Sequence, residues 1–163
     1  MIRVGILGSI GSGKSFVAKC FGYPVFNADL EVSKIYKNNK KIYKKLKSAL
    51  PKYIFSFPVN KKEITNAILG NKYNLTKIVK VVHLEVRKKM NLFLKKNKNK
   101  KIVILDIPLL LENKINKKKD ILIYVESKKS EILNRLKKRK NFKKKLLKSF
   151  KKIQLPLDLK KKK

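Results

Sequence analysis

Residues Ile2 to Ser15, IRVGILGSIGSGKS, constrain this chain more than any other stretch. An apolar run, Val4 to Leu7, meets the turn Gly8-Ser9-Ile10-Gly11-Ser12-Gly13-Lys14-Ser15, which fits the pattern G-x-x-x-x-G-K-[ST] at every fixed position. Glycines let the backbone bend until successive N–H groups face one concavity, and such a concavity holds anionic oxygens. A helix beginning near Lys14 adds the positive end of its dipole. The pattern predicts a buried strand, a phosphate-binding turn and a helix in direct succession. Lys14 then supplies a point charge for β- and γ-phosphates, and the Ser15 hydroxyl is a ligand for Mg²⁺.

At 163 residues the chain can form one domain with a real core and an inserted subdomain. Hydrophobic residues make up 43%, yet no apolar run approaches the roughly 20 residues of a membrane span. The N-terminus runs directly into the strand without a secretory pattern. Cys20 is the one cysteine, which excludes an intramolecular disulfide; it reads as a small core residue of the first helix. These features point to the cytoplasm. Charge is the outlier, with 45 basic and 10 acidic residues for a net +35. Such a balance raises nucleic-acid binding. The arginines, however, are only Arg3, Arg87, Arg135 and Arg139, and the lysines run through almost every polar segment. That distribution reads as lysine filling exposed sites in a lysine-biased proteome, with nonspecific polyanion binding at low salt as a consequence.

Val17, Ala18, Cys20 and Phe21 give the helix after the turn an apolar side, and Gly22 ends it. Pro24 to Phe26 reads as a second strand, followed by Asn27-Ala28-Asp29. A carboxylate at the carboxyl end of a strand in an open α/β sheet stands over the ligand crevice. Asp29 is therefore a candidate base or metal-organising group, although its position also suits a helix N-cap. Leu30 to Leu50 reads as one helix, Tyr53 to Val59 as an ambiguous apolar segment, and Lys61 to Gly70 and Asn74 to Lys96 as two more helices. This long helical insertion is expected to cover a substrate. His83, the single histidine, and Arg87 lie four apart on one helical face. They can grip an anion together, or His83 can serve packing alone. Ile102 to Leu105 reads as a buried parallel strand ending in Asp106, which can hold Mg²⁺ through water or simply cap the strand. Ile121 to Val125 is a further buried strand. In the helix Ser130 to Lys140, Arg135 and Arg139 again lie four apart; they can close over transferring phosphates or form a basic surface. Lys143 to Lys152 reads as a lysine-rich amphipathic helix, and Pro156 to Lys163 as a disordered tail.

In this order the segments resemble the dephospho-coenzyme A kinases, a family of P-loop kinases. Ile10 to Ser15 is similar to that family's I-G-S-G-K-S loop, Asn27-Ala28-Asp29 to D-A-D, Val82 to Arg87 to V-H-P-x-V-R, and Pro108 to Glu112 to P-L-L-F-E. Arg135 and Arg139 match lid arginines, and Gln154 a glutamine late in the lid. The resemblance implies a three-layer α/β/α fold on a parallel sheet of order 2-3-1-4, lacking the fifth strand and closing helix with which the family continues. It implies one kinase domain over 1–163: a nucleotide-binding core from 1–29 and 101–134, a helical substrate-binding insertion over 30–100, a lid over 135–155 and a tail over 156–163. The implied reaction moves the γ-phosphoryl of ATP to the ribose 3′-hydroxyl of dephospho-CoA, with Mg²⁺.

By the same resemblance, Gly11, Ser12, Gly13, Lys14, Ser15 and the Phe16 backbone cradle ATP, and Asp29 is the base. His83 and Arg87 face the substrate. Pro108 and Leu109 shape the acceptor pocket, Glu112 closes that motif, and Arg135 and Arg139 neutralise developing charge. Asn27, Phe16, Leu84 and Leu111 depart from the family's Asp, Thr, Pro and Phe. A nucleoside monophosphate is the alternative acceptor on this fold, and a nucleic-acid-binding protein that retains the loop is a more distant alternative.

Overall fold

A computed structural model of the chain describes residues 1–138 and 143–161. At its centre lies β1 (Ile2–Gly8), buried from Arg3 onward. Apolar runs without polar alternation suit a strand covered on both faces. β1 has a parallel neighbour on each side, β3 (Ile102–Asp106) and β4 (Ile121–Val125). β2 (Val25–Asn27) pairs with β3 and completes one parallel sheet of order β2-β3-β1-β4, as expected. β2 begins one residue later than the sequence suggested. Pro24 has no N–H for the ladder, although its carbonyl still accepts from Ile104 N at 2.9 Å.

α1 (Lys14–Cys20) covers one face of the sheet through a small core of Val4, Ile6, Ala18 and Ile104. Cys20 corrects the expectation of a core residue: it is exposed, because so short a helix meets the sheet around Ala18 and ends at Cys20 itself. The opposite face carries the larger core, built with α2 (Ala28–Asn38), α3 (Lys40–Ala49), α4 (Lys61–Gly70) and α5 (Asn74–Lys96). Leu30 to Leu50 is therefore two helices rather than one. Asn39 is extended at φ −103°, and its Oδ1 accepts from Ile42 N at 3.0 Å to cap α3. α5, 23 residues and roughly 35 Å long, buries Leu75, Ile78, Val82, Val86 and Met90 at helical spacing. Ile54 and Val59 join this core from a loop.

α6 (Lys129–Lys137), α7 (Lys144–Lys152) and α8 (Leu157–Lys161) follow β4. α8 corrects the expectation of a disordered tail over its residues. A lysine run favours disorder while its charges stay solvated, but Lys160 is buried and pairs with Glu112 at 2.7 Å. Arg139 lies outside the described residues. Among the described residues no helix is long and apolar enough to cross a membrane.

Candidate active site

Register assembles the site. Asn27 lies opposite Asp106 and Gly8 opposite Val125, so the segments after all four strands leave the sheet at one carboxyl edge. In open parallel sheets that edge collects ligands.

The glycine-rich turn occupies the centre of this edge. Gly8 has φ +139°, and a Cβ there would stand 2.5 Å from the Val125 carbonyl oxygen. Gly11 has φ +87°, and its Cβ would press on Leu136 and Ile132 of α6 at 3.0 and 3.2 Å. Glycine is needed both to shape the turn and to admit α6 against it. Gly13 is the left-handed N-cap of α1, and no side chain caps that helix, so no protein group of that kind competes with an anion for its first amides. Lys14 Nζ donates to the Ser9 and Gly8 carbonyls at 2.7 and 3.2 Å, which holds the ammonium against the turn.

Arg135 reaches the same turn from α6. Its Nη1 donates to the Ser12 carbonyl at 3.3 Å and to Ser127 Oγ at 3.2 Å, while Nη2 pairs with Glu131 at 3.0 Å. Ser127 Oγ also donates to the Ser12 carbonyl, at 2.8 Å. Sequence reasoning missed Ser127. The available signal was its position just past the end of β4, on the edge where the other site residues gather.

Asn27 uses both ends of its amide. Oδ1 accepts from Leu30 N at 2.8 Å and caps α2, and Nδ2 donates to Asp106 Oδ2 at 2.6 Å. A carboxylate could do only the first. The N-cap is thus Asn27, and Asp29 sits in the first turn of α2.

A cavity of about 690 Å³ runs from the turn into the helical layer. Gly11, Gly13, Lys14, Ser15, Phe16, Asp29 and Asp106 line one part; Ile64, Ile78, Val82 and Phe150 line an apolar part, with Pro108, Leu109 and His83 also in the wall. His83 Nε2 is buried without a hydrogen-bond partner. Burial, and then the nearby Arg87 charge, hold the His83 pKa below its ordinary value, so the ring is neutral at pH 7. Two expected substrate contacts lie outside this wall. Arg87 Nη2 donates to the Asn113 carbonyl at 3.0 Å, fastening α5 to the loop after β3. Glu112 Oε1 accepts from Leu155 N at 2.9 Å and pairs with Lys160 at 2.7 Å.

A family model described as Dephospho-CoA kinase matches residues 2–163. The chain belongs to the dephospho-CoA kinase family. A dephospho-CoA kinase of Wolbachia sp. subsp. Brugia malayi is 32% identical over 159 residues, which cover 94% of this chain and 81% of that one. Another, from Zymomonas mobilis, is 32% identical over 130 residues, covering 78% of this chain and 66% of its own length. The crystal structure of TT1252 from Thermus thermophilus superposes with a TM-score of 0.73 at 27% identity, over 99% of this chain and 84% of that one. As a member of this family the chain is a kinase, a nucleotide-binding transferase of coenzyme A biosynthesis. Asn27, its departure from the family's D-A-D motif, is the residue that fastens Asp106.

Proposed function

We propose that the chain transfers the γ-phosphoryl group of ATP to the ribose 3′-hydroxyl of dephospho-CoA, giving CoA and ADP. The observation that carries this reading is a single cavity with unlike parts: a phosphate-binding turn with Lys14, two carboxylates, and an apolar chamber under α4, α5 and α7. An acceptor with a charged nucleotide head and a long uncharged arm matches that division.

In this reading Gly11, Ser12, Gly13, Lys14, Ser15 and the Phe16 amide hold the ATP phosphates. The cavity wall at Pro108, Leu109 and the neutral His83 ring bounds the acceptor. Asp29 takes the 3′-hydroxyl proton as that oxygen forms its bond to the γ-phosphorus, the bond to the β-phosphate oxygen breaks, and ADP leaves. Arg135, already at the turn, and Arg139 offset the charge that spreads over the transferring group. The helices after β4 exclude water that would otherwise hydrolyse ATP.

Ser15 and Asp106 suit Mg²⁺. A hydroxyl and a carboxylate share the cavity wall, while the described residues contain no cluster of three His, Cys, Asp or Glu that would cage a metal alone. Mg²⁺ characteristically takes few protein oxygens and keeps water and phosphate ligands. When bound it neutralises charge on the β- and γ-phosphate oxygens.

A coupled ADP-release assay with ATP, Mg²⁺ and dephospho-CoA tests the reading, with AMP as control acceptor and mass detection of CoA. ADP release that requires dephospho-CoA and yields CoA is the expected result. Turnover with AMP instead would assign a nucleoside monophosphate as acceptor. No turnover with either, in folded protein that binds ATP, would overturn the reading.

A further inference from the structure

In a chain that sets lysine on almost every polar surface, Lys160 is the one lysine buried among the described residues. An ammonium leaves water only for a close partner. That partner is Glu112, which is 10% exposed against 2% for Lys160. Glu112 Oε1 collects both Lys160 Nζ and the Leu155 N–H, at 2.7 and 2.9 Å, while Oε2 is buried without a partner. Beside them Gln154 Nε2 approaches the Pro108 carbonyl at 3.5 Å.

These contacts join two walls of the cavity. Residues 154–160 continue from α7, whose Leu146 and Phe150 line it, and Pro108 and Leu109 line it from the loop after β3, which also carries Glu112. Neither charged group of the pair belongs to the lining. We propose that Glu112 and Lys160 are positioning residues, a buried latch that fixes the base of α7 to the loop after β3 and so sets the width of the acceptor part of the cavity. The kinetic consequence rests on the dephospho-CoA reading; the mechanical one does not. Glu112 thereby acts on the acceptor through the segment it holds, without touching it.

The test compares the full chain with Lys160→Met and Glu112→Gln by hydrogen–deuterium exchange without ligands, and by steady-state kinetics. Lys160→Met should raise exchange in residues 144–152 and 107–113 about tenfold, while β1 and α5 stay within about twofold, the signature of a local opening. KM for dephospho-CoA should rise about tenfold with KM for ATP nearly unchanged, as when a fixed wall rather than a phosphate contact is lost. Glu112→Gln keeps an acceptor for Leu155 N and should give a smaller rise in the same segments. If Lys160→Met fails to fold, Glu112→Gln carries the test. Unchanged exchange in 144–152, or an equal rise along the whole chain, overturns the latch. If the wild-type chain does not phosphorylate dephospho-CoA, the exchange pattern alone decides, so the two readings fail separately.

Discussion

Lys14 and Asp29 share the cavity wall but have different expected roles. Lys14→Ala removes the charge at the turn and should abolish transfer while circular dichroism and melting temperature hold. Asp29→Asn keeps size and polarity and loses the proton acceptor together with its negative charge. It should leave ATP affinity intact and lower kcat about a hundredfold or more, the range for a general base. Undiminished kcat would remove Asp29 from the mechanism. His83 makes a prediction about stability. Its folded pKa lies below the ordinary value of 6.5, through burial first and the Arg87 charge second. The unfolded chain therefore takes up a proton at a pH where the folded chain does not. The His83 contribution is intact above about 6.5 and is lost as pH falls from there through the lowered folded value. Melts between about pH 7.5 and 5 should fall more steeply for wild type than for His83→Gln. Parallel slopes would show that another group titrates. Residues such as Lys14 were legible in the sequence because phosphate chemistry tolerates few alternatives at fixed spacing. For Arg87 and Glu112 spacing left out the contacts they make, because a charged side chain in a motif can bond a carbonyl or a lysine far along the chain, and spacing carries no trace of that.

At the scale of elements, β1 and β3 could be read from short apolar runs, because a strand buried on both faces has no room for polar alternation. β4 has the same kind of run and is a strand, but it corrects the expectation of a buried one: it lies at the edge of the sheet, with Ile121 exposed and the other four residues half-buried. The break between α2 and α3 could not be read. Asn39 stands among lysines, and the apolar stations Ile35, Ile42 and Leu46 keep helical spacing across it, so periodicity alone sees one helix. The decision is made by one side chain, whose Oδ1 offers Ile42 N an acceptor that a continuing helix would not need. Asn39→Ala should cost about 1 kcal/mol, lowering the melting temperature by about 2–4 °C in a chain of this length. Asn39→Asp retains the acceptor and should melt close to wild type. Equal melts for all three would mean that packing of Ile42 and Leu46, both buried, sets the boundary without the cap. α8 was hidden for the same kind of reason: lysine repeats carry no period, and only the depth of Glu112 gives Lys160 somewhere to go.

Over the whole molecule, the excess of positive charge is a field rather than a patch. Ten acidic residues stand against 45 basic ones, and among the described residues ion pairs join Asp120 with Arg3, Glu31 with Lys34, Glu131 with Arg135, Glu112 with Lys160 and Glu126 with Lys161. With so few acids in the sequence, the excess of lysine acts outward with little opposition. ATP and dephospho-CoA are both anions, and their approach falls under that field until salt shortens its reach from roughly 30 Å at 0.01 M to about 8 Å at 0.15 M. In the proposed reaction the chemical step takes place at the turn, beneath α6, where Lys14 Nζ is held against the Ser9 and Gly8 carbonyls at 2.7 and 3.2 Å, and contacts made at such distances are screened less than an approach from solution. Raising monovalent salt across that interval should therefore lower kcat/KM for both substrates about tenfold or more while kcat changes little. An oligonucleotide should compete at the low end and lose its hold at the high end, because its binding would come from released counterions alone. If kcat/KM stays flat with salt, the lysines are a solvated coat that the substrates do not feel. If kcat falls in parallel with kcat/KM, the charge acts at the turn itself, and Arg135 becomes the residue through which salt reaches the chemistry.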